Sequence, residues 1–111
     1  MSIQINYTSE FKRNLRQLQK KYQSIRDDIE PVIKTLQQGE LLGNRIQYNA
    51  NIVYKVRVKN SNTQKGKSGG YRVIYYLQTP NDIILLTIYS KSEQSDISAT
   101  EIKRIIAQLT N

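Results

Sequence analysis

The chain has 111 residues, and its 17 Lys and Arg against 9 Asp and Glu give a formal net charge of +8 at pH 7. It contains no Cys and no His, so it lacks disulfide bonds, thiolate ligands and the imidazole that commonly serves as base or metal ligand. The length fits one domain, residues 1–111, with an ordinary hydrophobic core. The excess of positive charge indicates a polyanionic partner, either nucleic acid or an acidic protein.

The sequence gives no sign of a membrane or export signal. Apolar runs stay well below the roughly 20 residues that a membrane-spanning helix needs. The opening residues, MSIQINYTSEF, lack the apolar segment of a secretory signal peptide. We therefore expect a cytoplasmic protein with no membrane partner.

One short strand and two helices are predicted for the first part of the chain. The strand is SIQINY, and the first helix carries apolar residues at helical spacing: Phe11, Leu15, Leu18 and Tyr22. The second helix has the apolar stripe Ile25, Ile29, Val32, Ile33 and Leu36. Ser24 and Asp27 resemble a capping box at its start, and Gly39 follows its end. Pro31 is expected to kink this helix, because proline removes a backbone donor.

The apolar period then changes to two, which is typical of strands. In NIVYKVRVKN, one face carries Tyr54, Val56 and Val58, and the other carries Lys55, Arg57 and Lys59. YRVIYYLQ and IILLTIYS are nearly continuous apolar runs, as in buried central strands, and Pro80-Asn81-Asp82 forms the turn between them. Residues 45–48 are a candidate for one further short strand.

A last helix completes the predicted fold. Ser98 and Glu101 have the spacing of a capping box, and the apolar residues that follow are Ile102, Ile105, Ile106 and Leu109. The order β-α-α-β-β-β-α predicts an α+β domain. We expect an antiparallel sheet of about four strands, with two N-terminal helices and a C-terminal helix packed on it.

Positive charge is concentrated in the middle of the chain. No acidic residue occurs between Glu40 and Asp82, whereas this segment holds Arg45, Lys55, Arg57, Lys59, Lys65, Lys67 and Arg72. A solvated strand surface would explain such a run as well as a binding site would. Because neighbouring strands of the meander are antiparallel, Arg57, Arg72 and Lys91 are expected to converge at one end of one sheet face. Arginine binds phosphate through a bidentate fork and lysine through a point charge, so a phosphate site is predicted there.

The loop before the central strand is close to a nucleotide-binding motif but does not match it. SNTQKGKS differs from GxxxxGK[ST] because Ser61 stands where the first glycine should be. The loop also opens a strand, whereas a P-loop opens a helix whose N-terminus helps to hold the phosphate. We do not expect nucleotide hydrolysis.

Three segments, YKVRVKN, KGKSGGYRVIYYL and IILLTIYSKSEQSDISATEIKRII, together resemble the RelE/ParE superfamily of type II toxins, especially its RelE/HigB-type branch. The resemblance extends from the first helix to the last and implies a single RelE-like toxin domain. It implies a ribosome-dependent endoribonuclease, or mRNA interferase, that cleaves mRNA in the A site. The RNA's own 2′-hydroxyl would attack, so neither a cofactor nor a metal is implied.

The resemblance also implies roles for individual residues. Arg57 and Arg72 match the family's catalytic basic positions, and Lys55 and Lys91 match further basic positions that could transfer protons. Which lysine acts as base and which as acid stays open. From their placement along the chain, contacts with RNA or the ribosome are expected from Lys59, Lys65, Lys67, Tyr71 and Tyr89. The alternative for each tyrosine is a core position, and for each lysine a solvated surface charge.

Two positions depart from the RelE pattern, and several readings stay open. Ser92 and Ser98 stand where RelE-type members carry an arginine and a tyrosine, which favours a HigB-like arrangement in which basic residues do most of the work. The alternatives are a ParE-like DNA gyrase inhibitor, a non-catalytic RNA- or antitoxin-binding module of the same fold, and a plain basic scaffold. The expected partners are a neutralising antitoxin with an acidic segment, and the ribosome with mRNA.

Overall fold

The computed structural model of the chain describes residues 3–47, 51–63 and 69–110. Its strands are β1 (Gln4–Tyr7), β2 (Asn44–Arg45), β3 (Val53–Val58), β4 (Tyr71–Thr79) and β5 (Asp82–Ser90). Its helices are α1 (Ser9–Lys21), α2 (Ile25–Gln37) and α3 (Ala99–Ala107), and a short 3-10 turn, Gln108–Thr110, follows α3. No helix in these ranges is both long and apolar enough to cross a membrane.

The strands form one five-stranded sheet in the order β1-β5-β4-β3-β2. The predicted α+β class, with two N-terminal helices and one C-terminal helix, is confirmed. The expectation of a purely antiparallel sheet is corrected, because β1 pairs parallel with β5. A strand's local pattern shows that it is half-buried but does not encode which distant strand it joins or in which direction. The additional short strand, β2, pairs antiparallel with the start of β3.

Two hydrophobic clusters lie on opposite faces of the sheet. On the α1/α2 face, the buried helix residues Phe11, Leu15, Ile25, Ile29 and Leu36 pack against Val56, Val58, Tyr71, Val73 and Tyr75. On the α3 face, Ile102 and Ile105 pack with Ile74, Ile84 and Leu86. The apolar stripes predicted for all three helices therefore point into the core.

Of the two capping boxes predicted from the sequence, one forms in the structure and one does not. Ser98 Oγ accepts a hydrogen bond from the Glu101 N–H at 3.1 Å, so the predicted cap of α3 is confirmed. The capping box predicted at Ser24 does not form, because that side chain makes no capping bond. The Ser24 N–H instead donates to Asn62 Oδ1 at 2.9 Å, so a loop distant in sequence supplies the acceptor. Helix α2 continues through Pro31, and Gly39 follows it with φ +93°.

The side chain of Thr8, in the connection between β1 and α1, sets the start of α1. Thr8 Oγ1 accepts from the Phe11 N–H at 2.9 Å and donates to the Leu86 carbonyl at 2.7 Å. One hydroxyl thus caps α1 and joins it to β5.

Candidate functional site

Strand register brings the two candidate catalytic arginines together. Arg57 on β3 is the direct partner of Arg72 on β4, and Arg72 is in turn the partner of Tyr89 on β5. Directly opposite residues of antiparallel strands share a face, so these three side chains form one row across the α3 face. The row lies at the end of the sheet where β3 ends and β4 begins.

Two lysines extend this row along the same face. Lys55 precedes Arg57 by two residues and therefore points to the same side of β3. Lys91 follows β5, and its N–H donates to the Gly70 carbonyl at 2.9 Å, just before β4 begins. We call the surface formed by Lys55, Arg57, Arg72 and Lys91 the basic face.

The two arginines differ sharply in environment. Arg72 is only 5% exposed, and its Nη1 donates to the Tyr71 carbonyl at 3.2 Å. Burial lowers the pKa of Arg72, and the neighbouring positive charge of Arg57 lowers it further. Arg57 is exposed. Since guanidinium groups stay charged in proteins, one fixed cation and one exposed cation face each other here. An anion bound between them would relieve their repulsion.

The loop between β5 and α3 holds both lysines. Lys55 Nζ donates to Asp96 Oδ1 at 3.1 Å, and Lys91 Nζ donates to the Ser95 carbonyl. The same Asp96 oxygen accepts from the Ile97 N–H at 2.8 Å. The pKa of Asp96 is lowered by the Ile97 N–H first and by the Lys55 hydrogen bond second. Two consecutive residues, Ser95 and Asp96, thus contact the two candidate proton-transfer groups.

Asp96 was not identified as a site residue from the sequence. Its position was within reach, because it is one of the two acidic residues of SKSEQSDIS, which is part of a segment that resembles the RelE/ParE superfamily. Its contact with Lys55 spans 41 positions along the chain. Only the folded structure shows that a carboxylate lies against the basic face.

The two candidate RNA-binding tyrosines are both buried, on different faces. Tyr71 is 0% exposed and packs edge-on against Tyr22 on the α1/α2 face, with ring centroids 5.8 Å apart. Its ring therefore does not reach the basic face. Tyr89 is 6% exposed and lies in the row beside Arg72. Its hydroxyl has no hydrogen-bond partner among the described residues.

The electrostatic surroundings of Tyr89 connect it to the basic face. Burial raises the pKa of Tyr89, the charge of Asp96 raises it further, and Arg72 opposes both. The Tyr89 hydroxyl therefore stays protonated at neutral pH and can only be useful as a neutral donor or acceptor.

The remaining candidates lie on or after the end of β3. Lys59 is exposed immediately after the strand. Lys65 and Lys67 lie outside the described residues. The chain leading towards them is anchored to α2, since the Ser61 N–H and hydroxyl donate to Asp28 Oδ2 at 2.9 and 3.1 Å. This anchor was not predicted, because Asp28 reads as an ordinary acidic residue in the first turn of a helix.

Metal-ligating groups do not cluster in residues 3–47, 51–63 and 69–110. No group of three or more His, Cys, Asp and Glu side chains in these ranges is placed to hold a metal ion. The polar groups described on and beside the basic face are the lysine amines, the guanidinium groups, the Asp96 carboxylate and the Tyr89 phenol. Such a set recognises an oxyanion and is able to move protons.

Comparison with known proteins identifies relatives of this fold. A family model described as "RelE toxin of RelE / RelB toxin-antitoxin system" matches residues 3–110. Among solved structures, the chain is similar to the E. coli toxin RelE, solved in the free state as a mutant with two arginines replaced by alanine. The match has a TM-score of 0.57 and 15% sequence identity, and it covers 95% of this chain and 99% of that chain. At this identity the structural likeness shows a shared fold.

Proposed function

The chain belongs to the RelE toxin family, and on that premise we propose that this toxin of a toxin–antitoxin system is a ribosome-dependent endoribonuclease that cleaves mRNA in the A site. The observation that carries the proposal is the pairing of exposed Arg57 with buried Arg72 at one end of the α3 face. Two guanidinium groups on directly paired residues favour a bound phosphate between them.

The proposed reaction uses the RNA's own 2′-hydroxyl as nucleophile. The 2′ oxygen forms a bond to the adjacent phosphorus while the bond from phosphorus to the 5′ oxygen breaks. The proton of the 2′-hydroxyl passes to a base, and the leaving 5′ oxygen takes up a proton from an acid. Negative charge grows on the non-bridging oxygens as the five-coordinate state forms, and Arg57 and Arg72 stabilise that charge.

Lys55 and Lys91 are the proposed proton carriers. Both ammonium groups lie on the same face as the arginine pair, and each is held by one residue of the β5–α3 loop. A charged lysine serves as acid and a deprotonated lysine serves as base. The chain has no His or Cys, and attack by the 2′-hydroxyl needs neither a protein nucleophile nor a metal, so we propose a metal-independent reaction.

The surrounding residues are proposed to bind RNA rather than react with it. Lys59, with Lys65 and Lys67 in the following loop, would contact phosphates of mRNA or the ribosome through salt-sensitive interactions. Tyr89 would donate its hydroxyl to the bound phosphate, since that group lies beside Arg72 and has no partner among the described residues. The cognate antitoxin would neutralise the toxin, and an acidic antitoxin segment would suit the net charge of +8.

Induced expression of the toxin, followed by primer extension on a translated mRNA, tests the proposal. We expect growth arrest and cuts inside translated codons for the wild type. Arg72→Lys should remove the cuts, because lysine retains the charge but not the bidentate fork. Arg16→Gln is the control, because it removes an exposed arginine on α1, away from the basic face.

Two results would contradict the proposal. The first is normal growth without cuts when the wild-type protein accumulates. The second is growth arrest without cuts but with inhibition of DNA gyrase supercoiling by the purified protein, which would support the ParE-like alternative.

A further inference from the structure

The basic face already holds one anion, which the chain itself supplies. Strands β3 and β4 carry no acidic residue, so the positive charges of Lys55, Arg57 and Arg72 have no carboxylate on their own strands. The carboxylate of Asp96 reaches in from the β5–α3 loop and forms an ion pair with Lys55 at 3.1 Å.

Contacts within the loop hold this carboxylate in place. The Ile97 N–H donates to Asp96 Oδ1 at 2.8 Å, and Gln94 Nε2 donates to the Asp96 carbonyl at 2.9 Å. Lys91 contacts the preceding carbonyl, that of Ser95. The loop backbone therefore holds the carboxylate in place, while 68% of the Asp96 side chain remains exposed to solvent. An anchored but exposed anion can be displaced by another anion without unfolding its loop.

We infer that Asp96 is an internal substitute for an RNA phosphate: its carboxylate occupies the anion position at Lys55 in the free toxin and gives way when RNA binds. The inference depends on the proposed function only for the identity of the incoming anion. Because the carboxylate is tethered, its effective concentration at Lys55 is high, and it competes with phosphates that arrive from solution. The loop thereby lowers the apparent affinity of the toxin for RNA.

The direction in which RNA affinity changes when Asp96 loses its charge separates competition with RNA from simple positioning of Lys55. If Asp96 competes with RNA, removing its charge strengthens RNA binding. If Asp96 only positions Lys55 for RNA, removing the charge weakens binding. Asp96→Asn is the appropriate change, because the asparagine oxygen can still accept from the Ile97 N–H and only the charge is lost.

The experiment is fluorescence anisotropy with a labelled single-stranded 2′-O-methyl RNA, which cannot be cleaved because the attacking hydroxyl is blocked. We expect Asp96→Asn to bind about two- to five-fold more tightly than the wild type at moderate salt, the range that corresponds to an exposed ion pair. In a Lys55→Gln background the same change should have little effect, because the contested cation is absent. Glu93→Gln removes a charge from the same loop and serves as the matched control.

Three results would overturn the inference. They are unchanged or weaker binding by Asp96→Asn, an equal gain in the Lys55→Gln background, and an equal gain from Glu93→Gln, since the last two would mean a general charge effect. Thermal unfolding of each variant checks that it is folded. The ribosome cleavage assay is independent: tighter binding by Asp96→Asn without any cleavage by the wild type would support the inference and reject the nuclease.

Discussion

Arg57 and Arg72 face each other across β3 and β4 as direct register partners, one exposed and the other only 5% exposed. A buried arginine beside a second arginine is unfavourable unless something else compensates, because both charges repel and one has lost its water. Such an arrangement is expected where an anion has to be bound.

Arg57→Gln should separate function from stability. The substitution removes an exposed cation and relieves its repulsion of Arg72, so the free energy of unfolding should change by less than about 0.5 kcal/mol. Cleavage on the ribosome should fall by about 10²- to 10³-fold, as when one oxyanion-stabilising donor is lost. Chemical denaturation and a single-turnover cleavage assay measure the two quantities, and Arg16→Gln should leave both unchanged. Wild-type cleavage rates in Arg57→Gln would remove this residue from the site.

Inorganic phosphate should stabilise the folded protein. An anion that binds only the native state adds about 1.4 kcal/mol to the free energy of unfolding at ten times its dissociation constant. We expect the thermal midpoint to rise with phosphate concentration, measured against sodium chloride of equal ionic strength. The rise should disappear in Arg57→Gln. An equal rise in that variant would show that phosphate acts through the general positive charge of the protein.

Tyr89→Phe should cost activity but not stability. The Tyr89 hydroxyl is buried and has no hydrogen-bond partner among the described residues, so its removal should leave the free energy of unfolding unchanged or raise it. Cleavage should fall about ten-fold, which corresponds to one lost hydrogen bond to phosphate.

Tyr76→Phe provides the converse control for that experiment. The Tyr76 hydroxyl accepts a hydrogen bond from Asn51 Nδ2 at 3.1 Å, so its removal should lower stability by about 0.5–1.5 kcal/mol and leave cleavage unchanged. If Tyr89→Phe cleaves RNA as fast as the wild type, the Tyr89 hydroxyl does not contact the phosphate.

Gly70→Ala should disturb the entrance to β4. A Cβ at this position would lie 2.0 Å from the Val58 carbonyl oxygen, so the backbone has to shift. We expect a loss of about 1–3 kcal/mol in the free energy of unfolding. Because the Gly70 carbonyl also accepts from the Lys91 N–H, Lys91 should move and cleavage should fall as well. An unchanged denaturation midpoint would mean that the strands approach each other less closely than the structure shows.

Acid should erase the stabilising effect of Asp96. Its folded pKa lies below the ordinary value of 3.8 because of the Ile97 N–H and then Lys55. A lowered folded pKa means that the charged carboxylate stabilises the fold above pH 3.8 and that this contribution is lost as the pH falls through the lowered value. The difference in thermal midpoint between wild type and Asp96→Asn should thus be nearly constant from about pH 5 to 8, where the carboxylate is almost fully charged in the folded and the unfolded protein, and vanish in stronger acid. A difference that varies around neutral pH would point to another titrating group.

Much of the fold follows from local sequence, because burial patterns are local. The stripes at Phe11, Ile25 and Ile102 needed only helical spacing. An antiparallel meander was enough to predict that Arg57 and Arg72 lie at the same end of one sheet face, whereas their direct pairing is seen only in the structure. The parallel pairing of β1 with β5 depends on how α1 and α2 carry the chain across the sheet, which no local pattern records. The missing capping box at Ser24 has the same origin, since its acceptor is Asn62 on a distant loop.

In the candidate site, too, some features follow from local sequence and others depend on tertiary packing. Alternation along β4 puts Arg72 on the basic face, and the same alternation puts Tyr71 on the opposite face, so the burial of Tyr71 was within reach of the sequence. The contact of Asp96 with Lys55 was not, because it depends on where the packing of α3 places the loop before it. Local periodicity thus predicts which strand residues share a face, and tertiary packing decides which loop residues cover it.

The position of β5 in the sheet has a consequence for synthesis of the chain. This strand is bonded to β1 on one side and to β4 on the other, and Lys91 and Asp96 follow it. Until β5 has been synthesised, β1 has no strand to pair with, and the row of Arg57 and Arg72 lacks Tyr89. Pairings between such distant segments form slowly, because a long loop must close first. We therefore expect that a nascent or prematurely terminated chain that lacks β5 and the residues after it has no assembled basic face.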